Sequence, residues 1–296
     1  MMFKNLRTEA LGVSGTPSEI IELALSYGFK GLDLDIVDFA AQVKAVGIAK
    51  ARRSYESARL KFSAFQLPVE WHDDPDHYTR DLSALTSYLE LAKELGCQRA
   101  ITAIEPAGDM RPFHENYEYH RRRLGELAAA VDPFGIRLGV EFIAPASHKK
   151  GRAYQFVQTV DQVLMLLRSV PATNLGLVLD TWHWYLGGGT LEQIRSLTGD
   201  KIVAVYLADC DPDVTATSAT GKARRLPGET GVIDCAGILT ALGGIRYAGP
   251  ITPSPFKGNM AGQGRDKIVK AASAAFDQVW KAAGLNPHGN LVAAVK

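Results

Sequence analysis

Short apolar runs alternate along this chain with longer stretches in which apolar residues recur every three or four positions. The short runs are residues 3–13 (FKNLRTEALGV), 28–36 (GFKGLDLDI), 60–68 (LKFSAFQLP), 99–106 (RAITAIEP), 136–144 (IRLGVEFIA), 174–180 (NLGLVLD), 202–208 (IVAVYLA) and 250–256 (PITPSPF). Their lengths and apolar character predict buried strands, the first being the weakest. Between them, Leu82, Leu85, Leu89, Ala92 and Leu95 recur at helix spacing, as do Ile268, Ala272, Ala275 and Val279. Thr16, Pro17 and Glu19 spell a helix start, with Thr16 as N-cap, Pro17 at the first helical position and Glu19 closing a capping box. Thr190 and Gln193 repeat the device after a run of three glycines. Eight strand-then-helix units in one chain predict an α/β fold, a single (β/α)8 barrel over residues 1–284, with 285–296 as a C-terminal tail. Neither GxGxxG nor a P-loop follows any strand, which removes support for a nucleotide-binding sheet. Residues 211–231, polar and rich in small side chains, read as an extended loop over the seventh strand.

Chemistry in such a barrel gathers at the C-terminal ends of the strands, and alternation tells which side chains face the axis. Leu138, Val140 and Phe142 share a bulky face, so Gly139 and Glu141 point inward. By the same rule Leu175, Leu177 and Leu179 point out and Asp180 in. Val203, Val205 and Leu207 point out, and Tyr206 points in beside Ala204 and Ala208. Thr252 and Ser254 point in from the last strand. Four consecutive strands thus direct Glu141, Asp180, Tyr206 and Ser254 at one region, and His183 follows at the mouth. Two inward carboxylates on adjacent strands repel unless a proton, cation or donor lies between them. That pattern predicts a functional pocket.

Composition narrows the class. The 296 residues are 46% hydrophobic, enough for a large core, and the net charge of +1 offers no basic surface for nucleic acid. Cys97, Cys210 and Cys235 lack metal-type spacing and leave an odd one over, which favours a reduced, cytoplasmic protein. The chain shows neither a signal-like start nor a membrane-length apolar run, so the expected partner is a small molecule, not nucleic acid or a membrane. The run Arg121-Arg122-Arg123 reads as a solvated helix face.

The segments LGVEFIAP (138–145), NLGLVLDTWHWYLGGGT (174–190), RLPGETGVID (225–234) and YAGPITPSPF (247–256) make the chain similar to the xylose isomerase-like TIM barrels of the sugar phosphate isomerase/epimerase family. The resemblance extends over nearly the whole chain. It implies an isomerase, epimerase or lyase of sugar-like compounds, with homo-oligomers common. It also implies one divalent ion, manganese or magnesium, held by a Glu, an Asp, a His and a second Glu on the last four strands. Glu141 matches the first Glu, Asp180 the Asp, and His183 a histidine that contacts substrate. The other two positions depart from the pattern. Tyr206 stands where the metal-binding His is expected, and Ser254 where the second Glu is expected. A phenol with a pKa of about 10 is a poor ligand near neutral pH.

The expectation is therefore a metal-independent isomerase, lyase or cyclase of a hydroxylated or enolisable substrate, with no resident cofactor. Glu141 or Asp180 serves as base with His183 as its partner, and Tyr206 as acid or oxyanion donor. Should a metal bind, Glu141 and Asp180 are its expected ligands. A metal enzyme with an altered ligand set and an inactive barrel serving as a subunit or sugar-binding module are the alternatives. Ser254, Trp182, Trp184, Arg225, Glu70 and Lys257 are expected to line the substrate site. Of the neighbouring pair Arg224 and Arg225, the resemblance favours Arg225, with Glu229 to orient it. His120 reads as a buried hydrogen-bonding residue and His72 as a surface one.

Overall fold

The computed structural model describes residues 1–72 and 74–292. Its strands are β1 (Phe3–Leu6), β2 (Gly31–Leu32), β3 in two pieces (Lys61–Phe62 and Phe65–Gln66), β4 (Arg99–Ile104), β5 (Arg137–Phe142), β6 (Leu175–Asp180), β7 (Ile202–Leu207) and β8 (Pro250–Pro253). All pair in parallel, β2 to β1, β1 to β8, and so on through β7, β6, β5 and β4 back to Phe65–Gln66. The two ends of this order are the two pieces of β3. Only Ser63 and Ala64 separate them, so the sheet closes on itself as an eight-stranded barrel. A closed parallel sheet has no free edge, and its crossover helices cover the outside.

The long strands in the second half match their apolar runs closely. The first three are shorter than the runs that predict them. After β1 the chain turns at once into a helical turn, Thr8–Leu11, closed by Gly12 at φ 66°. Helices start where the caps predict. Thr16 and Glu19 form a capping box on Pro17–Ser26, and Thr190 and Gln193 another on Leu191–Arg195. The leucine-spaced stretches become Pro75–Glu94 and Arg265–Ala282. The arginine run lies on Phe113–Val131, where Arg121 and Arg122 pair with glutamates on the solvated side. His120 is buried on the same helix, and its Nδ1 bonds the Asn116 carbonyl.

Two apolar layers result. Leu138, Val140, Phe142, Leu175, Leu177 and Leu179 join the large core between sheet and helices. Ala64, Ile101, Val178, Ala204 and Tyr206 form a separate cluster inside the barrel. One alternation reading is corrected. Val203 does not point outward: its side chain lies against the inner faces of Gly139 and Gly176. The β6–β7 register shifts between Ile202 and Ala204, and such a bulge puts two successive residues on one face. Cys97, Cys210 and Cys235 are buried and free. No helix among the described residues is long and apolar enough to cross a membrane. In the expected tail, Leu285 bridges to Leu291, and Asn286 accepts a bond from Trp280 Nε1; positions 293–296 lie outside the described residues.

Gly139 shows how tightly the barrel is filled below the site. A Cβ there would stand 2.8 Å from Val178 Cγ2 and 3.0 Å from Val203 Cβ. Overpacking of this kind costs about 1–3 kcal/mol. Gly139→Ala is therefore expected to lower the urea midpoint at unchanged slope; an unchanged midpoint would contradict the packing described.

Candidate active site

Glu141, Asp180 and Tyr206 sit at or next to the C-terminal ends of β5, β6 and β7, and Ser254 follows β8. Tyr206 lies opposite Asp180 on one side and Thr252 on the other. Two cross-ties hold this rim. Thr181 Oγ1 bonds both the N–H and the carbonyl of Ala208, at 2.9 and 2.7 Å, and the Ser254 N–H donates to the Leu207 carbonyl at 2.8 Å.

Asp180 is 1% exposed. Its Oδ1 accepts the N–H groups of Trp182 and His183, at 3.0 and 3.1 Å, and so caps the helix Thr181–Leu186. Its Oδ2 is paired with the Arg224 guanidinium. Burial alone would raise the Asp180 pKa, but Arg224 and the helix N–H bond outweigh it and leave the carboxyl below its ordinary range. Glu141 has the opposite fate. Burial, reinforced by the charge of Asp180, pushes it up to about 8. Two neighbouring carboxyl groups thus hold different protonation states.

His183 lies between them. The Ala144 N–H donates to its Nδ1 at 3.3 Å, which places the ring proton on Nε2, 4.0 Å from Glu141 Oε1. Burial lowers its pKa to about 4 despite the nearby Asp180, so the ring is neutral at pH 7. Its Nε2–H is free to donate a hydrogen bond, within 4.0 Å of the carboxyl of Glu141.

Arg224 is the group that alternation and resemblance passed over. A short antiparallel ladder after β7 pairs Cys210 with Arg224 and Asp209 with Arg225. Successive residues on a strand face opposite sides. Arg224 therefore turns into the barrel mouth, where its Nη2 also bonds Ser254 Oγ at 2.9 Å and its Nε bonds the Ser254 carbonyl. Arg225, the expected one, turns away and forms a two-pronged pair with Asp211 at 2.6 and 2.9 Å. The expected Glu229 contact is not made; its carboxylate accepts the Leu226 N–H. The ladder is anchored by Asp209, whose buried carboxylate accepts the N–H groups of Cys210, Thr230, Gly231 and Ile233. Residues 211–231 are thus a pinned structure rather than a loose extended loop.

The opposite side of the mouth holds a cavity of about 370 Å³, lined by Arg7, Glu9, Asp33, Gln66, Ile101 and Tyr206 among others. Arg7 lies over the Tyr206 ring at 5.0 Å and near Asp33 at 3.9 Å. Burial raises Asp33 to about 6, with Arg7 opposing, while Asn5 Nδ2 bonds it at 2.7 Å. Arg7 and Asp33 are a second pair of polar residues that sequence reasoning missed. A lone charge after a short strand gives little signal until the barrel closes around it. Tyr206 Oη is buried without a hydrogen-bond partner among the described residues, and burial raises its pKa well above the ordinary phenol value. It is a proton-bearing donor awaiting an acceptor.

The remaining expected residues divide. Trp182 is buried, with the Arg224 guanidinium 5.6 Å from its ring centre, whereas Trp184 packs in the wall and bonds the Thr190 carbonyl. Glu70 is exposed and engaged with His72, whose other ring nitrogen bonds the Ala103 carbonyl, so His72 is half-buried rather than a free surface residue. Lys257 is exposed and packs its stem beside Gly12. Neither Glu70 nor Lys257 joins the cluster, because Glu70 lies on a loop and Lys257 opens a 3-10 turn (Lys257–Met260), both beyond the strand ends. Glu141, Asp180 and His183 are also the one group of possible metal ligands among the described residues, with ligand atoms all within 4.8 Å of one another.

Barrel and rim together define an α/β barrel with buried carboxyl, imidazole and guanidinium groups gathered at its C-terminal mouth. The chain belongs to the xylose isomerase-like TIM barrel family, whose model matches residues 21–278. It is 22% identical over 262 residues to the inosose isomerase of Bacillus velezensis, covering 88% of this chain and 90% of that one. It is 27% identical over 249 residues to the 3-dehydroshikimate dehydratase of Pseudomonas putida, covering 82% of this chain but only 36% of that one. Among solved structures, a xylose isomerase domain protein from Alicyclobacillus acidocaldarius superposes with a TM-score of 0.85 at 22% identity, covering 96% and 99% of the two chains. The IOLI protein with a bound zinc atom superposes at 0.79 and 18% identity, covering 96% and 98%.

The raised Glu141 pKa has a consequence for stability. The folded protein holds this proton up to about pH 8, whereas the unfolded carboxyl releases it near 4.5. The stabilisation from the protonated form is complete below the unfolded value and is lost as pH rises through the folded one. Glu141→Gln cannot ionise. Between pH 6.5 and 8.5, a range flanking the folded value of about 8, the melting temperature of the native chain should fall relative to that of the variant. Parallel curves would show that Glu141 titrates normally.

Proposed function

We propose that this chain is an isomerase or lyase that moves a proton on a hydroxylated, enolisable ketone, with Glu141 as proton carrier and without a resident metal. The observation that carries the reading is the pair of unlike carboxyl groups at the strand ends: Asp180 ionised against Arg224, Glu141 protonated beside it. Environments that drive two carboxyl pKa values apart are how one site supplies both an acid and a base. In its ionised form Glu141 takes the proton from the carbon next to the ketone. For isomerisation it returns that proton to the former carbonyl carbon as the hydroxyl proton crosses to the former ketone oxygen; for elimination it gives the proton to a departing hydroxyl. His183 Nε2–H and the Tyr206 phenol supply donors for substrate oxygens. The relatives' names support this substrate class, since inososes and 3-dehydroshikimate share a ketone beside a hydroxyl-bearing carbon.

As they stand, the donor groups do not fit a divalent ion. Asp180 uses one oxygen for the helix start and the other for Arg224, and the Nε2 of His183 carries a proton rather than a lone pair. Two observations favour a second reading, a metal enzyme with an altered ligand set. Glu141, Asp180 and His183 converge within 4.8 Å, and the IOLI relative carries zinc.

The two readings separate on a panel of an inosose, 3-dehydroshikimate, D-psicose and L-ribulose, followed by NMR in heavy water after chelation. The metal-free reading expects deuterium incorporation and product from chelated protein, with kcat/KM rising with pH as Glu141 ionises towards about 8. Turnover lost on chelation and restored by manganese would overturn it. Glu141→Gln is expected to lower kcat about 10²–10⁴-fold, the usual contribution of a general acid–base group. Tyr206→Phe, which removes only the hydroxyl, is expected to lower kcat with little change in melting temperature; unaltered kcat would reduce the phenol to a packing role.

A further inference from the structure

We propose that the Arg224 guanidinium is the resident cation of this site, standing in the place of a metal ion and receiving the oxygen on which negative charge builds during the reaction. The proposal rests on the proton-transfer reading above and names the group that this reading leaves without an electrophile.

The geometry carries it. Three potential metal ligands converge, and Asp180, the ionised one, needs a cation beside it. Arg224 supplies that cation from the chain itself. Its Nη2 holds Asp180 and Ser254 Oγ, and its Nε holds the Ser254 carbonyl. The side chain is 12% exposed, so these bonds form in a largely water-free setting, where a fixed charge acts strongly. The third nitrogen, Nη1, makes no hydrogen bond among the described residues, which leaves two N–H donors on an already anchored cation for a ligand. Glu141 and Asp180 bring ligand oxygens within 4.8 Å of one another and Asp180 is paired with Arg224, so proton carrier and guanidinium share one locus. Nor is the arginine mounted on a loose loop: Asp209 ties down the ladder that presents it with four backbone N–H bonds.

The step balances without a co-reactant. Ionised Glu141 takes the proton as the C–H bond breaks. The electron pair moves into the adjoining carbon–carbon bond, and the carbonyl oxygen becomes an enolate oxygen facing Nη1–H. The guanidinium neither gains nor loses a proton. Return of that proton to the former carbonyl carbon, as the hydroxyl proton on the adjoining carbon crosses to the enolate oxygen, shifts the ketone by one carbon and leaves Glu141 ionised again. A guanidinium suits this post because it stays charged at any working pH and presents its donors in a fixed plane.

Two measurements test it, the first needing no substrate. Manganese chloride is titrated calorimetrically into the native protein, Arg224→Lys and Arg224→Met, after circular dichroism has shown each to be folded. Removing the charge frees Asp180 and Glu141 to hold an ion, so Arg224→Met is expected to bind manganese at least tenfold more tightly than the native protein, with Arg224→Lys resembling the native protein. Equal affinities in native protein and Arg224→Met, including no binding by either, would overturn the proposal. The second measurement uses whichever panel compound is turned over. Arg224→Met is expected to lose about 10²–10³-fold in kcat, the usual loss for an oxyanion donor, with partial recovery on adding methylguanidinium. An unchanged kcat would overturn the proposal. If no panel compound reacts, the proton-transfer reading loses its support, while the manganese titration still decides whether Arg224 holds the cation's place.

Discussion

The buried ion pair between Arg224 and Asp180 is the interaction on which the site depends. A carboxylate that is 1% exposed cannot keep its charge in a protein interior without compensation. Asp180 receives that compensation from two helix N–H groups and one guanidinium. Glu141, buried and beside that charge, keeps its proton, and the ordering of the two pKa values follows. His183 is drawn into the same arrangement. Its backbone N–H caps onto Asp180, its Nδ1 is committed to Ala144, and its remaining N–H is presented towards Glu141.

The fold supplies these groups from neighbouring places on the rim: Glu141 from β5, Asp180 and His183 from the end of β6, and Arg224 from the ladder after β7. Thr181 and Ser254 stitch β6, β7 and β8 together at the rim. The ladder after β7 brings Arg224 across the mouth, and Asp209 holds the ladder. Below the rim, Gly139, Val178, Val203 and Ala204 fill the barrel without room to spare. Tyr206 spans the boundary between this packing and the pocket. Its ring is packed under Arg7, while its hydroxyl has no partner among the described residues.

Much of this was legible in the chain. Strict alternation in LGVEFIA and NLGLVLD placed Glu141 and Asp180 inward, because a strand with a bulky leucine face has one way to turn. The capping signals at Thr16 and Thr190 marked their helices, because a cap is a local interaction. What alternation missed lay where local rules lose hold. Val203 escapes alternation because a bulge after Ile202 breaks the period of two. Arg224 cannot be told from Arg225 by sequence, because a two-residue ladder in a polar segment carries no register signal; only the pairing of Asp209 with Arg225 decides which arginine faces in. Arg7 and Asp33 gave no signal because strands as short as Phe3–Leu6 and Gly31–Leu32 show too few positions to reveal a face.

Tyr206 and Ser254, the two departures from the family's ligand pattern, acquire a shared meaning from this geometry. Ser254 accepts a bond from the guanidinium where a further carboxylate would add negative charge, and Tyr206 contributes a neutral phenol where an imidazole would offer a lone pair. The most direct test is anomalous diffraction from crystals of the native protein soaked in manganese chloride. The expected density shows the Arg224 guanidinium on Asp180 and Ser254, with no anomalous peak among Glu141, Asp180 and His183. A manganese peak at that position, with Arg224 displaced from Asp180, would contradict the assignment of the site's cation to the protein itself.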